Sequence, residues 1–193
     1  MAEWGRHVWT LVLCGALVVP ASLYAIDTPG RVERIYLPAG VDIAAVRQAM
    51  ADARSRLAAP ACQEVFSEFD GQDGRSLATV LASRNETGAG YLDWLSFYDG
   101  ASAPPCLNRQ LARFAFTVMG SPIIYVCPGF AGLLHRYPDE AVATLIHEEL
   151  HSLGLGENPP SSRHIQERVL DRCFSARSSR RTRIATTRSA PKR

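Results

Sequence analysis

Residues 139–153 limit what this chain can fold into more than any other stretch. Val142, Leu145, Ile146, Leu150 and Leu153 recur at helical spacing, so the stretch predicts a helix with one buried face. Pro138 precedes it, and Asp139 and Glu140 fall in the first turn, where the helix dipole favours negative charge. Gly154 supplies a left-handed stop. The same helix carries His147, Glu148 and His151, and the pattern H-E-x-x-H-x-x-G-x-x-E runs on through Gly154 to Glu157. Both histidines therefore lie near the helix end, close to the turn that follows.

Positions four apart share a helix face, one turn apart. His147 and His151 can thus direct two imidazoles at one ion. Zinc accepts imidazole nitrogen, and catalytic zinc usually keeps three protein ligands plus a water. Glu148 flanks the same ion without having to bind it, and its carboxylate can take a proton from a water there. This is the kit for metal-assisted hydrolysis, apart from a third ligand. Three residues compete for that place: Glu157 in the turn, and His164 and Glu167 on a following helix. Gly154 and Gly156 let the chain reverse sharply, which puts Glu157 ahead of the other two.

The stretch resembles the zincin metallopeptidases. Within them, the glycine three residues after the second histidine is similar to the metzincin pattern H-E-x-x-H-x-x-G-x-x-H. The resemblance implies that His147 and His151 are zinc ligands and that Glu148 is the general base. It also implies that the glycine brings the third ligand round to the metal. The matching position is Glu157, a carboxylate, which is an acceptable zinc ligand. A glutamate on a following helix is how the gluzincin branch closes its site, and this keeps Glu167 in play. In zincins a strand edge beside the active helix holds the substrate backbone through unsatisfied strand hydrogen bonds; here the resemblance gives that role to residues 123–127.

The rest of the chain predicts an α+β fold, a small sheet packed on helices with the H-E-x-x-H helix central, and the resemblance implies that this fold is zincin-like. Residues 31–37 alternate weakly and suit an edge strand. Residues 41–59 read as a helix capped by Asp42, with Ile43, Val46, Met50, Ala53 and Leu57 on one stripe. Pro60 interrupts it and a shorter helix follows to Phe69; residues 70–74 are a turn-rich break, and residues 76–82 are helix or strand. Residues 91–98 are β-prone and 101–105 a loop, while 111–118 and 122–127 form a hairpin. Residues 130–137 make a short connecting helix, and a last helix, capped by Ser161 or Ser162, runs to about Cys173 with Ile165, Val169 and Leu170 on the core.

Residues 1–25 read as a secretory signal, with Arg6 and His7 before an apolar run from Val8 to Val19 and a cleavage point near Ala25. The alternative is an uncleaved anchor over residues 8–25. The mature domain then spans 26–173. Residues 174–193 hold seven of the 21 basic residues and no acid, and read as a disordered basic tail. The remainder carries 14 basic against 19 acidic residues, so the net charge of +2 is an effect of the tail and gives no specific nucleic-acid surface. Outside the signal stand Cys62, Cys106, Cys127 and Cys173, an even set that reads as two disulfides in an exported chain. Three pairings are open; Cys106–Cys127 with Cys62–Cys173 is favoured.

These readings converge on an exported zinc-dependent metallohydrolase, secreted or periplasmic, most naturally a peptidase acting on a peptide or protein. Zn2+ is the expected cofactor, held by His147, His151 and Glu157, with Glu148 as general base. The alternative is a non-catalytic zinc-binding envelope protein that acts through a partner. Membrane association depends on the N-terminal segment staying uncleaved. Tyr98, Tyr125, Tyr137 and His164 are chemically suited to steady an oxyanion.

Overall fold

Asp42 starts the first helix by accepting a hydrogen bond from the Ala45 amide at 3.0 Å, which satisfies one of the end's free donors. The computed structural model describes residues 34–38, 42–108 and 113–187, with side chains as far as Ser175. Helix α1 (Ile43–Leu57) buries Val46, Ala49, Met50, Ala53 and Leu57. Pro60 opens α2 (Pro60–Gln63), which passes into a 3₁₀ turn (Glu64–Ser67). Ser76 caps α3 (Leu77–Ser83), which decides that stretch as helix.

The described strands are β1 (Ile35–Tyr36), β2 (Ser96–Asp99), β3 (Ala115–Thr117) and β4 (Ile123–Val126), in spatial order β1-β2-β4-β3. The first three in that order run parallel and β3 is antiparallel to β4. Alternation sorts the side chains: Phe97, Ala115, Ile124 and Val126 are buried against the helices. Tyr36, Tyr98, Tyr125 and Phe116 stand side by side on the other face, successive ring centroids 4.9, 6.3 and 4.8 Å apart.

Three local readings change. Residues 91–98 are strand only in part. Thr87 accepts from the Gly90 amide and caps α4 (Gly88–Leu92), so Tyr91 and Leu92 reach the core from a helical turn. Residues 101–105 run into a short helix, α5 (Pro104–Leu107), where the prolines occupy the first turn and lose no hydrogen bond. After α6 (Phe130–Arg136) and α7 (Pro138–Ser152), helix α8 (Ser162–Thr187) runs past Cys173 into the arginine-rich stretch. Arginine and alanine favour helix, and extending an existing helix costs far less than starting one. The signal reading, residues 31–33 of the edge-strand reading, residue 41 of the first-helix reading, residues 111–112 of the hairpin reading and residues 188–193 lie outside the described residues.

Helix α7 is the axis of the core. Val142, Leu145, Ile146, Leu150 and Leu153 are all buried, as the spacing predicts, and α1, α6, α8 and β3 pack around it. Cys62–Cys173 ties α2 to α8 across 111 residues, and Cys106–Cys127 ties α5 to the end of β4. Two disulfides fit an oxidising compartment. Among the described residues no helix is long and apolar enough to cross a membrane.

Candidate metal centre

The end of α7 explains how the cluster forms. Gly154 adopts φ +111°, its amide bonds the His151 carbonyl, and the Leu155 amide bonds the Leu150 carbonyl. This is the Schellman arrangement, and it folds the chain back over the last helical turn. Leu155 is buried and pins the returning segment. Its carbonyl then meets His151 Nδ1 at 2.8 Å. Nδ1 must donate to that carbonyl, so Nε2 is the nitrogen left to face His147 and an ion. The hairpin turn closes the same helix end, with the Gly120 amide 2.9 Å from the His151 carbonyl.

His147 Nε2 and His151 Nε2 lie 3.0 Å apart, both on buried rings. Two turn residues further, Glu157 Oε1 lies 3.7 Å from His151 Nε2. One ligand atom from each of His147, His151 and Glu157 falls within 4.8 Å of the others. Ligands about 2.0–2.1 Å from a tetrahedral centre stand roughly 3.3 Å from one another, so the two histidines already fit one small divalent ion and the Glu157 side chain reaches it by a movement of about 1 Å. Two imidazole nitrogens and one carboxylate oxygen are also the right chemistry for zinc. His164 and Glu167 lie elsewhere. His164 is exposed with its ring edge-on to Phe69, and Glu167 is paired with Arg163 at 2.8 Å.

Burial and the neighbouring His151 push the His147 imidazole down to about 3, so it is neutral and available as a ligand at ordinary pH. Burial, followed by the nearby Glu157 carboxylate, pushes Glu148 up to about 8; Arg113 and hydrogen bonding by Thr117 pull it the other way. A divalent cation beside that carboxyl would favour its ionised form.

The cluster opens on a cavity of about 720 Å³, whose walls include Arg113, Ala115, Thr117, Thr144, Arg163 and Gln166. The edge strand beside it is β3, not residues 123–127, because β4 is interior with β2 on one side and β3 on the other. The Cys127 amide bonds the Phe114 carbonyl, so by alternation Phe114 and Phe116 turn their backbone groups to β4. Ala115 and Thr117 then direct theirs to the open edge, on the cavity side. Tyr98, Tyr125, Tyr137 and His164 are not among the cavity walls; Arg113 and Thr117 are. No local pattern marks either of these two residues, which sit in and before a three-residue strand.

One buried acid was not singled out from the sequence. Glu149, next to Glu148, is fully buried on α7 and neither carboxylate oxygen has a hydrogen-bond partner. Burial, then the Asp93 carboxylate, holds its carboxyl well above the usual range. No known protein family, curated protein or solved structure matches this chain.

Proposed function

We propose that the protein is an exported zinc-dependent metallohydrolase that cleaves peptide bonds. The observation that carries this reading is the convergence of His147 Nε2, His151 Nε2 and a Glu157 oxygen at one point, with Glu148 buried beside them in the wall of the same cavity. A structural zinc site tends to be closed by four protein ligands, whereas this one has three among the described residues and faces open space. That difference supports catalysis over a purely structural or partner-binding role. A zinc ion held here supplies Lewis acidity toward a carbonyl oxygen and a lowered pKa for water.

The chain's own residues do the rest. His147 and His151 present their nitrogens from a rigid helix turn, and the Leu155 carbonyl orients the second. Glu148 accepts the proton of the attacking water and returns it to the leaving amine, so its carboxyl ends each cycle as it began. The open edge of β3 at Ala115 suits an extended peptide that adds to the sheet there. The Cys62–Cys173 and Cys106–Cys127 bonds support an exported location.

The test is metal analysis of the purified protein together with hydrolysis of a mixed peptide library, for the wild type and Glu148→Gln. One equivalent of zinc in both proteins, with turnover lost by orders of magnitude in the variant, is the expected result. Full turnover by Glu148→Gln would remove Glu148 from the chemistry. A wild type that retains no zinc would remove the metal centre.

A further inference from the structure

The three ligand side chains are not held equally well. His147 and His151 sit on a buried helix turn, and His151 is fixed further by the Leu155 carbonyl. Glu157 stands two residues beyond the last buried anchor, on a flexible three-torsion side chain at the rim of the cavity. Its two oxygens face different groups. Oε1 lies 3.7 Å from His151 Nε2, and Oε2 lies 4.0 Å from Arg113 Nη2.

The geometry points to Arg113 as the positioning residue of this centre: it holds Glu157 by its outer oxygen and so presents the inner oxygen to the ion. The inference rests on the metal-centre reading given above. A guanidinium is planar and always charged, and it binds a carboxylate oxygen while leaving the opposite oxygen free. The other cation of the cavity wall, Arg163, is already paired with Glu167 and is largely exposed. Arg113 is itself placed by the sheet. The next residue, Phe114, accepts from the Cys127 amide, and Cys127 is bonded to Cys106. The hairpin register and its disulfide therefore reach the third ligand through one side chain.

A second reading of Arg113 makes the opposite prediction, which gives the test its power. If the guanidinium were only a nearby positive charge, it would repel a divalent cation, and its removal would tighten binding. If it orients Glu157, its removal weakens binding, as loss of the outer partners of metal ligands does. The experiment uses the full chain in five forms: wild type, Arg113→Ala, Arg113→Lys, Glu157→Ala and Arg113→Ala/Glu157→Ala. Zn2+ affinity is measured by competition with a chromophoric chelator, and Co2+ is added to read coordination from its visible absorption. Circular dichroism and melting curves confirm the fold of each variant.

The expected result is that Arg113→Ala weakens Zn2+ by roughly 10–100-fold and shifts its Co2+ spectrum toward that of Glu157→Ala. Arg113→Lys recovers part of the affinity, and the double variant binds no more weakly than Glu157→Ala alone. Unchanged or tighter binding by Arg113→Ala overturns the inference, and so does a double variant whose loss equals the sum of the two single losses. A wild type that binds neither Zn2+ nor Co2+ removes the metal centre and this inference together. Wild-type binding with an indifferent Arg113→Ala removes this inference alone.

Discussion

Glu149 shows how much one residue can cost at the centre of a core. Its neighbours on α7 bury apolar groups, while its two carboxylate oxygens lie in the same core without a partner. An unpartnered buried polar group costs about 1–3 kcal/mol, and an apolar side chain of similar length removes that cost. Glu149→Met is therefore expected to raise unfolding free energy by about 1–3 kcal/mol in urea titration. A loss of stability of that size would mean that the carboxyl has a role the core depends on. Glu157 is the opposite case, a rim residue whose worth lies in what it reaches. Glu157→Ala should weaken zinc by more than the roughly 10–100-fold cost of losing an outer partner. His164→Ala and Glu167→Ala should bind as the wild type does, because one ring faces Phe69 and the other side chain faces Arg163.

At the scale of elements, the decisive joint is the end of α7. Gly154 holds φ +111° with open space where a Cβ would be, so a substitution there meets a conformational cost and no clash. Gly154→Ala should cost about 1–2 kcal/mol of stability. It should also weaken metal binding, because the same turn carries the Leu155 carbonyl to His151 and Glu157 to the cluster. Calorimetry and zinc titration on one preparation check both; full metal affinity in a destabilised variant would separate the turn from the site. The sheet gives a second lesson. Residues 123–127 are the more strongly β-prone run, yet β4 takes the interior place and the shorter β3 the edge. Strand propensity does not report spatial order, since a parallel neighbour arrives from elsewhere in the chain.

Across the whole molecule, α8 is fastened to the body by a bond and an ion network. The Cys62–Cys173 crosslink encloses far more chain than Cys106–Cys127, so loop-closure entropy favours it, at about 4–5 against about 3 kcal/mol. Paired Cys62→Ser and Cys173→Ser changes should lower the melting temperature more than paired Cys106→Ser and Cys127→Ser changes; the reverse order would show that strain or denatured-state structure dominates. Beside the first bond, Glu68 accepts from Arg168 at 2.7 Å and also pairs with Arg172, which meets Glu64 at 2.8 Å. Burial alone would raise the Glu68 carboxyl, but the hydrogen bonds and charges of Arg168 and Arg172 outweigh it and hold it below its ordinary value of 4.5. With the folded value depressed, this stabilisation is present above 4.5 and is lost as pH falls through the folded value. Glu68→Gln should cost about 1 kcal/mol at neutral pH, a figure kept small by partial exposure, and the gap to wild type should close in acid. A gap that does not depend on pH would assign the loss to packing.

The sequence determined by itself whatever depends on local spacing. The i, i+4 relation puts His147 and His151 on one helix face, the apolar period picks the buried face of α7, and Gly154 ends it, because helical geometry is set within a few residues. Asp42 fixes a helix start for the same reason. The cysteines allowed two disulfides but left three pairings, since pairing depends on which elements meet. Tertiary structure alone decided the rest. It brought Glu157 to the two histidines by burying Leu155, turned His164 and Glu167 away, made β3 the edge, and set Arg113 beside Glu157. Each of these is a meeting of residues far apart in the chain or across a turn, fixed by packing and strand register, and no period in the sequence encodes it.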